Sequence, residues 1–253
     1  DSSLIASILA KKHNKKIDTF SIGLQNNLYD EAKASKIISK HLNTNHNELI
    51  IDHKDLLNTI PDLSKIYDEP FADSSQIPSI ILSKFASNSK KVCLTGDGGD
   101  ELFGGYNRHK KIDYFYNLNN SLKIILSKII DNFNHPQHVK VLYNLIKFTL
   151  PSNLKSAIPS EHLDKINLVI KSSSKLQAYE RLNSIFQNHE LNCLLSNKIQ
   201  TDDFFNNFKS KIKFKKKIQY YDFINYLPND ILCKLDRASM NFSLETRAPY
   251  LNH

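Results

Sequence analysis

Apolar and polar positions follow two alternating periods over the first hundred residues. After Asp1-Ser2-Ser3, Leu4, Ile5, Ile8 and Leu9 recur at helical spacing, and the leading polar residues make a good N-cap cluster. Lys16 to Leu24 is short and β-rich. Tyr29 to Leu42 returns to the helical period, with Ala34, Ile37, Ile38 and Leu42 expected on one face and Asp30 and Glu31 at the end that favours negative charge. His46 to Ile51 reads as a strand, residues around 54–66 and 75–87 as helices, and Lys91 to Thr95 as a short, buried apolar strand. Strands separated by single amphipathic helices predict βαβ crossovers: an α/β fold with a mainly parallel sheet flanked by helices.

From about residue 111 the glycines disappear and apolar residues keep helical spacing, as in Ile124, Ile125, Ile129 and Ile130, then Val141, Leu142, Leu145 and Ile146. Pro136, Pro151 and Pro159 punctuate this stretch. Tyr220 to Met240 is helical again and is expected to break at Pro228. The chain therefore divides into an α/β portion at 1–110, a helical region at 111–217, and a helix with a motif segment at 218–253.

Composition narrows the class. With 253 residues, 40% apolar and 24% charged, this is an ordinary globular chain, not a disordered tail, coiled coil or collagen-like rod. No run approaches the roughly 18 to 20 apolar residues a spanning helix needs. Cys93, Cys193 and Cys233 are scattered, which fits a reducing, cytoplasmic setting better than a disulfide scaffold or zinc site. Cys93, in its expected buried strand, reads as a small core residue. The sole methionine is Met240, so the chain is expected to be part of a longer or processed protein. Net charge is +8, and most lysines alternate with Asn and Ser on outer helix faces. Only Lys209 to Lys217 forms a run, which reads as a solvated linker or surface strand; a nucleic-acid patch is the weaker reading.

The glycines carry more information. Of six, Gly96, Gly98, Gly99, Gly104 and Gly105 fall within ten residues, directly after an apolar strand. In open α/β sheets the C-terminal end of a strand is where ligands bind. Glycine density lets backbone N–H groups approach a ligand closely. Asp97, Asp100 and Glu101 share the loop, so a nucleotide here requires a bridging cation; Mg²⁺, which takes one or two carboxylates plus phosphate oxygens, suits it. Asp1-Ser2-Ser3 would put two hydroxyls at a helix N-terminus, where phosphate binds well. A third phrase runs from Leu235-Asp236-Arg237 to Glu245-Thr246-Arg247-Ala248-Pro249-Tyr250-Leu251.

Together these phrases resemble the synthetase domain of the glutamine-dependent asparagine synthetases, ATP pyrophosphatases that carry a PP-loop. That family's phosphate loop, Ser-Gly-Gly-x-Asp-Ser-Ser, is matched from its Asp onward by Asp1, Ser2 and Ser3. Its central motif, Ser-Gly-(Asp/Glu)-Gly-x-Asp-Glu-x-x-x-Gly-Tyr, is matched by Thr95 through Tyr106, with Thr95 in place of the usual Ser. Tyr67-Asp68-Glu69-Pro70 with Asp73, and Leu232 to Leu251, also resemble the family, in the family's order.

The resemblance implies an adenine-nucleotide α-hydrolase-like fold whose first portion, 1–110, binds ATP. Ile22, Thr95 and Gly96 would line the adenine pocket, Ser2 and Ser3 would cradle the phosphates, and Asp1 and Asp100 would hold Mg²⁺. Asp97 would serve the acyl-adenylate or ammonia step, and Glu101 joins it as a catalytic candidate. Lys234 and Arg237 are both candidates for countering charge on pyrophosphate. The expected reaction is adenylation of the aspartate side chain by ATP, then amidation by ammonia to give asparagine, AMP and pyrophosphate. Ammonia would come from a glutaminase domain N-terminal to Asp1, together with the first half of the phosphate loop and a central strand; without these the chain is expected to bind ATP weakly. Two alternatives remain open: a related amidotransferase acting on a sugar acid or peptide carboxylate, and a non-catalytic nucleotide- or nucleic-acid-binding module. No membrane partner is expected, and a homodimer stays open.

Overall fold

A computed structural model describes residues 1–25, 32–132, 163–184, 186, 188–195 and 212–252. The expected helix start at Tyr29 to Glu31, the apolar repeat Val141 to Ile146, the prolines at 136, 151 and 159, and Lys209 to Lys211 lie outside the described residues. The described chain forms two compact units, Asp1–Gly105 with Gln219–His253, and Tyr106–Ile218.

The first unit opens with α1 (Ser2–Lys12), β1 (Asp18–Leu24), α2 (Ala32–Leu42) and β2 (Asn45–Ile51). β1 and β2 pair in parallel, from Asp18 opposite Asn45 to Leu24 opposite Ile51, and α2 packs on both. The α2 face that packs is not the expected one. Ala32 and Ser39 are buried and Ile38 and Leu42 half-buried, whereas Ala34 is exposed and Ile37 is 70% exposed. At 100° per residue, positions 32, 35, 38, 39 and 42 share the inner stripe, and 34 and 37 fall outside it. Asn43 ends the helix in the left-handed region (φ 53°), which Asn tolerates well.

Asp52 then caps α3 (His53–Thr59) through a reciprocal box with Asp55, accepting from the Lys54 and Asp55 N–H groups at 2.8 and 3.0 Å. A 3₁₀ turn, Ile60–Asp62, leads to α4 (Leu63–Ile66), α5 (Gln76–Ser87), β3 (Val92–Leu94) and α6 (Gly99–Phe103). Ile66, Tyr67, Ile80 and Ala238 form a buried cluster with Leu63, Phe71 and Phe242 against it. The Tyr67 and Phe71 rings stack at 5.1 Å.

Two expectations about strands need correction. β3 is not buried: Val92 and Leu94 are exposed and Cys93 is half-buried, although burial still pushes its thiol pKa up. Nor does a single sheet form among the described residues. β3 pairs in parallel with β4 (Glu245–Arg247), and β1–β2 and β3–β4 are separate two-stranded sheets. A cleft of about 500 Å³, lined by residues of both β1 and β3, lies where a single sheet would have joined them.

The second unit holds α7 (Asn107–Tyr116), α8 (Asn120–Asn132), α9 (Leu163–Ile170), α10 (Lys175–Asn183) and α11 (Asn188–Leu194). Ile112, Ile130, Val169, Ala178 and Tyr179 are buried within it, whereas Ile124 and Ile125 are exposed. Arg108 Nε donates to the Tyr179 hydroxyl at 2.9 Å.

From α12 (Phe214–Tyr221) the chain passes through a π-helix, Asp222–Leu232, into α13 (Cys233–Met240). Pro228 therefore does not break the path, contrary to expectation. It lies inside the π segment, whose wider i→i+5 turns accommodate a residue without an N–H. Asn225 and Asn229 side-chain amides satisfy the Tyr221 and Asn225 carbonyls there, at 3.3 and 2.8 Å. Lys215 to Lys217 belong to α12, so this part of the lysine run is helical rather than linker or strand. A final 3₁₀ turn, Pro249–Leu251, follows β4. Among the described residues no helix is long and apolar enough to cross a membrane.

Candidate active site

β3 delivers Thr95 and the glycine turn, and β4 fixes the height of delivery: the Thr95 N–H donates to the Arg247 carbonyl at 2.8 Å. Gly98 takes φ 87° at the N-cap of α6, and Gly104 closes that helix at φ 72°. The turn then meets the start of the chain. A Cβ at Gly96 would sit 2.6 Å from the Ser2 backbone nitrogen, and one at Gly99 would overlap the Asp1 carboxylate. Only glycine permits this approach of helix start and acidic turn. Asp1 is the N-cap of α1, yet its side chain caps nothing. Its carbonyl accepts from the Leu4 and Ile5 N–H groups instead, at 3.1 and 3.2 Å, so the carboxylate stays turned to the glycine turn.

The third phrase closes over the first two. Tyr250 donates its hydroxyl to the Asp1 carbonyl at 3.1 Å, and Leu251 lies against Gly98. Phe103 meets the Tyr250 ring edge-on at 5.7 Å. Residues 1–3, 95–105 and 245–251, far apart in sequence, thus share one corner of the first unit.

The cleft between β1 and β3 opens at this corner. Ser2, Ser3 and Thr95 line it, with Thr19, Ser21 and His46 from the β1–β2 face. His46 Nδ1 and Nε2 lie 3.0 and 3.2 Å from the Thr19 and Ser21 hydroxyls. The Thr95 Oγ1 is buried without a hydrogen-bond partner. A lone buried hydroxyl costs free energy, so its presence fits a site built to meet a polar ligand or chain group.

Asp97 and Asp100 are half-buried in the turn, with Asp100 Oδ1 against Gly105; Glu101 is 2% exposed and faces inward. Ile22 pairs with Leu49 inside β1 and does not line the cleft. Among the described residues no three His, Cys, Asp or Glu side chains cluster as a ready-made metal cage. The Asp1 carboxylate lies against Gly99 and Asp100 Oδ1 against Gly105, both on the same turn.

Lys234 and Arg237 are tied to the Tyr67–Ser75 segment. Lys234, 9% exposed, donates from Nζ to Asp73 Oδ2 at 2.5 Å and to Ser75 Oγ at 2.7 Å. Tyr67 donates its hydroxyl to the Lys234 carbonyl at 3.4 Å. Burial alone would raise the Asp73 carboxyl, but hydrogen bonds from Lys234 and Ser75 outweigh it and hold the pKa at about 2. Burial, with the Asp73 charge adding to it, pushes the Tyr67 hydroxyl up to about 12. Arg237 pairs with Asp68 at 2.7 Å in the open, 48% of its side chain exposed. α13, which carries both cations, packs on β4, the partner of β3. Ser75 and the pairings to Asp68 and Asp73 were invisible in the sequence; the only signal was the nearness of Asp73 to Tyr67-Asp68-Glu69-Pro70.

Comparison with known proteins agrees with the resemblance. The family model described as asparagine synthase matches residues 1–253. The chain is 27% identical over 255 residues to asparagine synthetase (glutamine-hydrolyzing) 1 of Bacillus subtilis strain 168, covering 100% of the chain and 37% of that protein. It is 36% identical over 133 residues to a putative asparagine synthetase (glutamine-hydrolyzing) 2 of Methanocaldococcus jannaschii, covering 51% of the chain and 26% of the relative. A putative asparagine synthetase (glutamine-hydrolyzing) of Mycobacterium tuberculosis strain H37Rv is 24% identical over 272 residues, covering 100% of the chain and 36% of its own length. The chain thus spans little more than a third of these relatives at most.

Proposed function

The chain belongs to the asparagine synthase family, and from that premise we propose that it is the synthetase part of a glutamine-hydrolysing asparagine synthetase, which uses ATP to activate the aspartate side-chain carboxylate and ammonia to amidate it. One observation supports this most: the start of α1, with Asp1 and Ser2, lies directly against the glycine–acid turn. A triphosphate needs what that junction offers, namely helix N–H groups, hydroxyls and carboxylates for a bridging cation, at one place.

In this reading Ser2, Ser3 and the first N–H groups of α1 hold phosphate oxygens, and the orphaned Thr95 hydroxyl donates to the nucleotide. Gly96 borders the adenine, whereas Ile22, outside the cleft, does not take the role the resemblance implied. Asp1 and Asp100 would hold Mg²⁺, which would supply positive charge to offset that developing on the phosphates. Asp97 orients the amine or the activated carboxylate, and Glu101, buried beneath the turn, keeps α6 in place. Lys234 supplies positive charge toward the departing pyrophosphate; Arg237, solvated and paired with Asp68, serves it less directly. A free carboxylate is a poor electrophile; its oxygen attacks the α-phosphorus of ATP and pyrophosphate leaves, and ammonia then attacks the acyl-AMP and expels AMP, which carries that oxygen away. Ammonia reaches the site from a glutaminase partner domain, in a cytoplasmic protein.

The test is amide formation by the complete protein supplied with ATP, Mg²⁺, ammonia and aspartate. Asparagine, AMP and pyrophosphate appearing in equal amounts is the expected outcome. Turnover of a sugar acid or peptide instead of aspartate would move the substrate assignment. Tight, salt-sensitive RNA or DNA binding with no pyrophosphate release would overturn the enzyme reading.

A further inference from the structure

We propose that Asp73 and Ser75 are positioning residues for Lys234, holding its ammonium aimed so that its third N–H is left for an anionic oxygen of the substrate. This rests on the reading above, in which Lys234 faces the departing pyrophosphate.

The three groups form a closed triangle. Lys234 Nζ donates to both Asp73 and Ser75, and Ser75 Oγ donates in turn to Asp73 Oδ1 at 2.8 Å. The Ser75 N–H donates to the same Asp73 oxygen at 2.7 Å. Every polar atom is thereby oriented, and two of three ammonium donors are used.

Two features argue that the triangle serves more than stability. Ser75 is the N-cap of α5, yet its hydroxyl caps nothing and is committed to Asp73 and Lys234. A capping serine normally stabilises its helix, and that contribution is forgone here. Second, a buried ion pair contributes little net stability compared with apolar residues of similar volume, because both charges must be desolvated. Lysine also has a long stem that ordinarily carries its charge out to water. Lys234 is instead held inside.

Among the described residues no other carboxylate pairs with Lys234. Tyr67 reaches only the Lys234 carbonyl and stays neutral up to about pH 12. Asp68 is committed to Arg237, and Glu69 beside it is exposed. On α13 itself Cys233 is half-buried and Asp236 exposed; Asp230, a turn earlier, has partners of its own. Lys84 on α5 and Glu245 and Arg247 on β4 are exposed. Removing the Asp73 charge therefore leaves the buried ammonium without its counter-charge and free to leave its place.

The test measures aspartate-dependent ATP–pyrophosphate exchange by the complete protein, alongside thermal unfolding. Asp73→Asn is expected to lower exchange roughly tenfold, because Lys234 loses the partner that aims it. In a Lys234→Ala background the same Asp73→Asn change is expected to alter exchange by less than about twofold, because Asp73 acts through Lys234. Should Asp73→Asn fail to fold, Ser75→Ala removes one bond of the triangle and is expected to show the same pattern, more weakly. An equal loss with and without Lys234, or exchange within about twofold of wild type in the otherwise unchanged protein, overturns the proposal. Wild-type protein without any exchange would instead overturn the parent reading, and with it the role of Lys234.

Discussion

At the glycine turn the backbone does the holding. Gly96 and Gly99 bring Ser2 and Asp1 into contact with the strand end, and among the described residues neither Asp97 nor Asp100 takes part in an ion pair. At the Lys234 corner side chains do it, through the buried Lys234–Asp73 pair and the exposed Arg237–Asp68 pair. The first region leaves Asp97 and Asp100 out of ion pairs, as a cation and phosphate would require. The second commits its cations to partners and so presents them in fixed directions. One site presents charge by close backbone approach, and the other by neutralising it in part.

The sharpest break of this contrast is at Gly99. Gly99→Ala is expected to push Asp1 out of the turn and reduce ATP–pyrophosphate exchange about a thousandfold, since displacing groups by an ångström and losing an electrostatic contact each cost on the order of a hundredfold or more. Asp100→Asn keeps the backbone and removes one charge. Exchange should fall at least roughly a hundredfold, about 2.7–4 kcal/mol, and near-normal exchange would remove Asp100 from the metal role.

The Lys234 corner should respond to acid instead. Asp73 is depressed from 3.8 to about 2, so its stabilisation is complete above 3.8 and lost as pH falls through about 2. Unfolding free energy measured across that window should drop by about 2 kcal/mol from this group, and Asp73→Asn should abolish that slope. The smallest effect belongs to the exposed pair. Asp68→Asn should change stability by less than about 1 kcal/mol and lose even that in high salt.

The same contrast explains what was legible beforehand. Glycines crowded after an apolar strand announce a backbone-built site, because few other needs put Gly96, Gly98 and Gly99 together. The strands β1 and β2 were legible from their period, within two residues at each start. β4 was not: Glu245-Thr246-Arg247 has neither length nor alternation, and becomes a strand only because β3 offers it an edge. Pro228 misled because propensity rules describe the α ladder, and the π segment lies outside them. The inner face of α2 misled because Ile37 is apolar yet lies off the stripe that Ser39 shares. Asp73 and Lys234 meet across 161 positions, and no local pattern announces that.

The central claim is that a magnesium-bridged triphosphate occupies the junction of Asp1 and the glycine turn. Its most direct measurement is a crystal structure of the complete protein with a non-hydrolysable ATP analogue and Mn²⁺ in place of Mg²⁺. The account expects an anomalous peak coordinated by the Asp1 and Asp100 carboxylates, with phosphate oxygens on Ser2, Ser3 and the first N–H groups of α1. A metal and triphosphate bound away from both aspartates, with the turn left bare, would contradict it.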